Sequence, residues 1–251
     1  MFRAALHRLV ETTIGWCEIS LEGPLARFDD VRVHDGTSQR VPPRGRPDLP
    51  ACTVGQAGAK WRIGYSLKTG LLDEATVAAG TTGELPLWRT LVPSLQRGIL
   101  YLLDLGFFER ALFTQAQLAG EHLVMRLKSN TKVIVRRHLI AGHVVGLGGR
   151  LGHRFYLTTV PRNRMSAAQI IEAYRLRWLI EFLFRELKQE ADLGRCFTAD
   201  PHALAALTSG ALIGHVLIRP LRIVAALRHD VPLEQLRRLA CAHLARAFAS
   251  E

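Results

Sequence analysis

Cysteine is scarce, and none of it is paired in sequence. Cys17, Cys52, Cys196 and Cys241 are scattered along 251 residues, with no C-x-x-C and no Cys/His spacing of the kind that binds zinc. A zinc ribbon and a disulfide scaffold are thereby excluded, and four isolated thiols fit a reducing cytoplasm. Lysine is also rare: Lys60, Lys68, Lys128, Lys132 and Lys188 are the whole set. No glycine run follows the phosphate-loop or dinucleotide pattern, and Gly142–Gly152 reads as hairpin turns. No Ser/His/Asp or Cys/His arrangement stands out as a nucleophile. The start of the chain has charges inside its apolar run and no cleavage pattern of a signal peptide. The most apolar stretch, Ala203 to Ile218, falls short of the roughly 20 residues that span a bilayer. It contains His215 and ends at Arg219-Pro220, so it reads as a buried helix of a soluble protein with no membrane partner.

What is present is arginine. Lys and Arg together number 33 against 22 Asp and Glu, a formal charge of +11 and a pI near 10.2. With 48% hydrophobic and 22% charged residues the composition is that of a folded domain. A basic domain points to a polyanion, nucleic acid first. Arg136-Arg137 and Arg162/Arg164 are as well explained by solvated loops as by DNA backbone contacts.

Hydrophobic periodicity places the elements. Residues 3–16 read as a helix and 30–35 as a strand ending at the turn signal Asp35-Gly36-Thr37. Residues 40–59 read as a loop, and 61–68 with 71–79 as a hairpin. A helix is expected over 85–97, a buried strand over 99–104, a helix over 108–119 and a strand over 122–128. Residues 131–160 read as a β-rich insert. Ser166 is a candidate N-cap for one long helix to Glu190, with further helices over 201–227 and 232–249. Three antiparallel strands followed by strands with crossover helices describe an α/β, ribonuclease H-like architecture. Its five-stranded mixed sheet is flanked by helices and carries the β-rich insert before the last catalytic helix. The expected organisation is a helical remnant over 1–27, a catalytic domain over 28–200 and C-terminal helices over 201–251. Strands one and four would lie side by side and parallel, with Asp35 and Asp104 at their C-terminal ends.

The segment Tyr174-Arg-Leu-Arg177-Trp-Leu-Ile-Glu181-Phe-Leu-Phe-Arg-Glu-Leu-Lys188 carries the most information. At about 100° per residue, Tyr174, Arg177, Glu181 and Lys188 fall within about 60° of one another on a helix. Trp178 and Arg185 flank that stripe, and Leu176, Leu179, Ile180, Leu183 and Leu187 lie opposite. The pairs Arg177–Glu181 and Glu181–Arg185 are also ordinary i,i+4 surface pairs. Trp178 reads slightly better as packing than as a base-stacking ring. A glutamate brought to the edge that holds two aspartates makes three carboxylates, which become mutually favourable around hard divalent cations.

These motifs resemble the catalytic domain of DDE transposases of the insertion-sequence-four family, marked by the YREK signature. Tyr174-x2-Arg177-x3-Glu181-x6-Lys188 matches that signature without gaps. His-Asp35-Gly-Thr resembles the first-aspartate motif and Leu-Leu-Asp104-Leu-Gly-Phe the second, with Leu105 where an arginine is common. Met-Arg126-Leu-Lys128 resembles the strand that follows. The resemblance implies that Asp35, Asp104 and Glu181 are catalytic and ligate Mg²⁺ or Mn²⁺, two ions. It implies that Tyr174, Arg177, Lys188, Trp178, Arg185, Arg126 and Lys128 contact DNA. It implies an endonuclease and strand transferase that cuts the ends of an insertion sequence, commonly through a hairpin intermediate, and joins them to target DNA. It further implies double-stranded DNA as partner, a homodimer in the synaptic complex and a nucleoid-associated place in the bacterial cytoplasm. Asp35 comes early for this family, so the chain is expected to be truncated before its end-recognition region. The alternative expectation is a catalytically silent remnant that only binds DNA or a full-length partner.

Overall fold

Alternation along the central strands decides which side chains meet which layer. In the computed structural model, which describes residues 21–127, 143–147, 154–190 and 196–229, β1 spans Asp30–Val41 and β4 spans Ile99–Leu103. The two run parallel from Asp30↔Ile99 to His34↔Leu103. Successive side chains point to opposite faces. Val31, Val33, Leu100 and Leu102 therefore enter one buried cluster, and Ile99, Tyr101 and Leu103 enter another on the far face. β4 is apolar on both faces and wholly buried, as a central parallel strand must be.

β2 (Ala57–Ser66) and β3 (Leu72–Ala79) add antiparallel on one side of β1, and β5 (His122–Arg126) adds parallel to β4 on the other. The order β3-β2-β1-β4-β5 with these directions is the five-stranded, ribonuclease H-like arrangement expected from the sequence. The described part of the insert changes the count. β6 (His143–Leu147) and β7 (Arg154–Thr158) form an antiparallel hairpin, and β7 pairs with β5. The sheet has seven strands in the order β3-β2-β1-β4-β5-β7-β6. The free edge of β5 needed a partner for its backbone groups, and the insert supplies one.

Helices cover both faces. α1 (Glu84–Leu91) and α2 (Arg110–Ala119) sit with the Trp88, Tyr101 and Phe107 cluster. α3 (Ala167–Arg175) and α4 (Leu179–Glu190) pack on the Val31 and Val33 side. α5 (Pro201–His229) contacts β3 and α4.

Four differences from the sequence reading have physical reasons. β1 runs straight through Asp35-Gly36-Thr37 to Val41, because β2 continues to pair with it after β4 has ended. The helix expected over 85–97 ends at Leu91, and Val92–Ser94, which holds Pro93, forms a 3₁₀ turn. The single helix expected over 166–190 is two, joined by a 3₁₀ turn at Leu176–Trp178. That tighter turn leaves Leu179 exposed, and the buried face of α4 is Ile180, Leu183, Phe184 and Leu187. Over residues 201–218 of α5 the buried side chains form the stripe Leu204, Thr208, Leu212 and Val216, while Leu207 and Leu217 are exposed. By length and composition alone Pro201–Ile218 could cross a membrane. The helices expected over 3–16 and 232–249, residues 131–142 and 148–153 of the insert, and Cys17 and Cys241 lie outside the described residues. Cys52 and Cys196 are free thiols.

Candidate active site

The two aspartates stand one residue past the end of the β1–β4 ladder, which closes at His34↔Leu103. Asp35 follows the alternation of Val31 and Val33, and Asp104 that of Leu100 and Leu102. Both are thus on the face covered by α3 and α4. The Gly36 amide donates to Asp35 Oδ1 at 2.7 Å. Asp104 starts the 3₁₀ turn Leu105–Phe107, with Phe107 buried beneath it.

The structure brings the third carboxylate to the same place through one cation. Arg177 Nη1 donates to Asp35 Oδ2 at 2.9 Å, and Nη2 donates to Glu181 Oε1 at 3.0 Å. Its Nε lies 4.0 Å from Asp104 Oδ1; it is buried and makes no hydrogen bond. One guanidinium therefore touches all three carboxylates predicted from the sequence. The 3₁₀ turn positions it, since the tightened backbone drives Arg177 into the sheet edge while leaving Trp178 outside.

Electrostatics show how uneasy this cluster is. Burial, reinforced by the neighbouring Asp104 and Glu84 charges, pushes Asp35 up to about 6, against the opposing pull of the Gly36 amide and Arg177. Burial also opposes the charge on Arg177, but Tyr174, Asp35, Asp104 and Glu181 outweigh it and hold its pKa above the ordinary value. The pair is therefore lopsided. Arg177 stays charged, yet its ion pair does not repay the desolvation of Asp35.

Among the described residues, no three Asp, Glu, His or Cys side chains are gathered tightly enough to hold an ion as they stand. What gathers Asp35, Asp104 and Glu181 is the guanidinium. The donor set still fits a hard cation: three carboxylates on three separate elements, with positive charge drawn between them.

The residues expected to contact DNA divide. Tyr174 is buried, not presented to a ligand. Its hydroxyl donates to the Leu103 carbonyl at 3.1 Å, and its ring packs edge-on against Tyr156 at 4.8 Å. Burial pushes that phenol well above its usual range, so it braces the end of β4. Lys188 is half-buried and donates to Thr37 Oγ1 at 2.6 Å and to the Ser38 carbonyl at 3.4 Å. Burial lowers its pKa. Trp178 is the reverse of the packing residue expected: it is 58% exposed, with the Arg177 guanidinium 5.5 Å from its ring. Arg185 is exposed and lies 5.3 Å from the ring of Phe182, itself 52% exposed. Arg126 ends β5 opposite Tyr156 and is half-buried. Lys128 lies outside the described residues, as do Arg136 and Arg137.

Sequence reasoning missed three neighbours. Phe182 extends the exposed ring face of α4. Glu84 opens α1 and accepts from Lys60 Nζ on β2 at 3.1 Å. The one signal for Glu84 in the sequence was its place directly after Gly83 at a helix start.

The transposase for insertion sequence element IS421 from Escherichia coli is 36% identical over 67 residues, 27% of this chain and 18% of that protein. The transposase for IS231F from Bacillus thuringiensis subsp. israelensis is 29% identical over 115 residues, 45% of this chain and 24% of that one. These matches thus span about a fifth to a quarter of the relatives' lengths. A piggyBac transposase synaptic complex with hairpin DNA, solved by cryo-electron microscopy, superposes with a TM-score of 0.44 at 14% identity, over 74% of this chain and 47% of that one. The family model for the transposase DDE domain matches residues 26–217, and over that span, most of its length, the chain belongs to the transposase DDE-domain family.

Proposed function

We propose that this chain is the catalytic part of an insertion-sequence transposase of the insertion-sequence-four type, in which Tyr174, Arg177, Glu181 and Lys188 are the YREK residues. Its reaction is metal-dependent cleavage of DNA at the element's ends and transfer of the 3′ ends to target DNA. The observation that carries this reading is the convergence of Asp35, Asp104 and Glu181 on one cation.

Asp35, Asp104 and Glu181 would hold Mg²⁺ or Mn²⁺. Such ions supply positive charge and Lewis acidity for in-line displacement at phosphorus. The chain's own residues bind and orient the DNA. Arg185 and Arg126 offer charge to phosphates, a sequence-independent attraction. Lys188 holds the far end of α4 to β1, and Tyr174 holds α3 to the end of β4. Both fix where Glu181 meets the two aspartates. The exposed faces of Trp178 and Phe182, each beside an arginine, suit stacking on an unpaired base. Double-stranded DNA as partner, a homodimer in the synaptic complex and a nucleoid-associated cytoplasmic place belong to the same reading.

The test is cleavage of a labelled DNA hairpin, or of a pre-nicked element end, by purified protein with Mn²⁺. Products that disappear in Asp35→Ala and Glu181→Ala, both still folded, are the expected result. Products that persist in either variant would remove that residue from the site. A folded wild-type protein that binds DNA and yields no product would support a silent remnant in place of an enzyme.

A further inference from the structure

The far side of the aspartate pair is closed by a group that none of the motifs contains. Gly36 follows Asp35, and by alternation its missing side chain would point to the α1 face. Gly106 follows Asp104 by two residues, in the 3₁₀ turn that leaves β4. A Cβ added at Gly106 would fall onto Glu84 Oε2. One added at Gly36 would sit 3.6 Å from Glu84 Oε1 and 3.1 Å from Lys60 Cε. Neither glycine has a positive φ, so neither is needed for its backbone. What the two positions share is the space taken by one carboxylate.

That carboxylate is anchored. Lys60 Nζ donates to Glu84 Oε1 at 3.1 Å, and both side chains are largely shielded from solvent, at 15% and 24% exposure. Lys60 stands on β2 opposite Ser38 of β1. The pair therefore ties β2, the start of α1 and the turn after β4 at the level where β4 has ended and no ladder holds Asp104 beside Asp35.

We propose that Glu84 is a positioning residue of the active site. Seated between Gly36 and Gly106 and tethered by Lys60, it fixes the separation of Asp35 and Asp104 after their strands part. Its importance for chemistry rests on the metal-site reading above.

The experiment is a two-position cycle of Glu84→Ala, Gly106→Ala and the double variant, with Glu84→Gln beside them. Three quantities are read: Mn²⁺ affinity by electron paramagnetic resonance of the free ion, kcat and KM on a DNA hairpin, and melting temperature. Misplaced reacting groups cost rate steeply, so Glu84→Ala should lower kcat about tenfold and weaken Mn²⁺ binding, with KM for DNA unchanged. Gly106→Ala should do the same, because its methyl evicts the carboxylate. The double variant should stay near about tenfold and not reach the product of the two effects. Glu84→Gln keeps the volume and the Lys60 hydrogen bond and should lie within about threefold of wild type.

Wild-type Mn²⁺ affinity and kcat in Glu84→Ala would overturn the proposal, as would effects that multiply in the double variant. A fall in melting temperature alone, with Mn²⁺ affinity and kcat untouched, would reduce Glu84 to a packing residue and overturn it equally. If wild-type protein neither binds Mn²⁺ nor cuts, the metal reading fails separately. The melting temperatures of the cycle then decide whether Glu84 and Gly106 share one space: additive shifts would overturn that, and non-additive shifts would uphold it.

Discussion

Asp35 is the residue at which burial and charge disagree most openly. It pairs with Arg177 at 2.9 Å, yet its folded pKa lies near 6 against 3.8 for an ordinary aspartate. Between those values the folded chain holds a proton that the unfolded chain has lost. Stability through this group therefore falls as pH rises from about 4 to about 6, and the loss is complete above that. The shift of about two units corresponds to about 2–3 kcal/mol. Asp35→Asn, which cannot ionise, should flatten the pH dependence of melting in that window and melt higher than wild type at pH 7. An unchanged slope in paired melts at pH 4.5 and pH 7 would show that Asp35 does not carry this cost. Stability and function pull apart here, since the charge that weakens the fold is the charge a divalent cation would want.

At the scale of elements, the entry into α3 is the best defined. Ser166 Oγ accepts from the Gln169 amide at 3.3 Å, and Gln169 Oε1 accepts from the Ser166 amide at 2.9 Å, a reciprocal cap. Ser166→Ala should cost about 1 kcal/mol, read by denaturant midpoint; no change would mean the helix start is held by packing alone. The Ser166 half of this cap was legible, because serine before a periodic apolar run leaves a chemical mark, whereas its Gln169 half emerged from the structure. The strand order was legible as well, because β1 alternates from Asp30 to Asp35 and β4 is an unbroken apolar run. The 3₁₀ turn at Leu176–Trp178 was not. Leu-Arg-Trp has no proline or glycine to announce it, and the turn coincides with Arg177 reaching inward to Asp35, 142 residues away in sequence. For the same reason the exposure of Trp178 and the burial of Tyr174 were misjudged: both depend on which way that turn rotates the helix. The role of Glu84 was invisible, since it depends on two glycines whose meaning appears only when β1 and β4 are side by side.

For the whole molecule, the basic charge of +11 predicts DNA affinity that falls steeply with salt. Removing one phosphate contact should lower the magnitude of the log–log salt slope by about one. Arg185→Ala should do this in anisotropy titrations on duplex DNA between about 50 and 200 mM salt. An unchanged slope would take Arg185 off the DNA surface. The same global view bears on how the cluster comes into being. Arg177 and Asp35 are 142 residues apart in the chain. On a ribosome adding roughly 5–20 residues per second, about 7–30 s separate the appearance of the first from that of the second. Helices and hairpins form within about 10 μs, so β1 and its hairpin partners are made long before their last companion exists. A nascent chain is thus without its assembled cluster until Arg177 emerges, and that delay is written into the order of the elements.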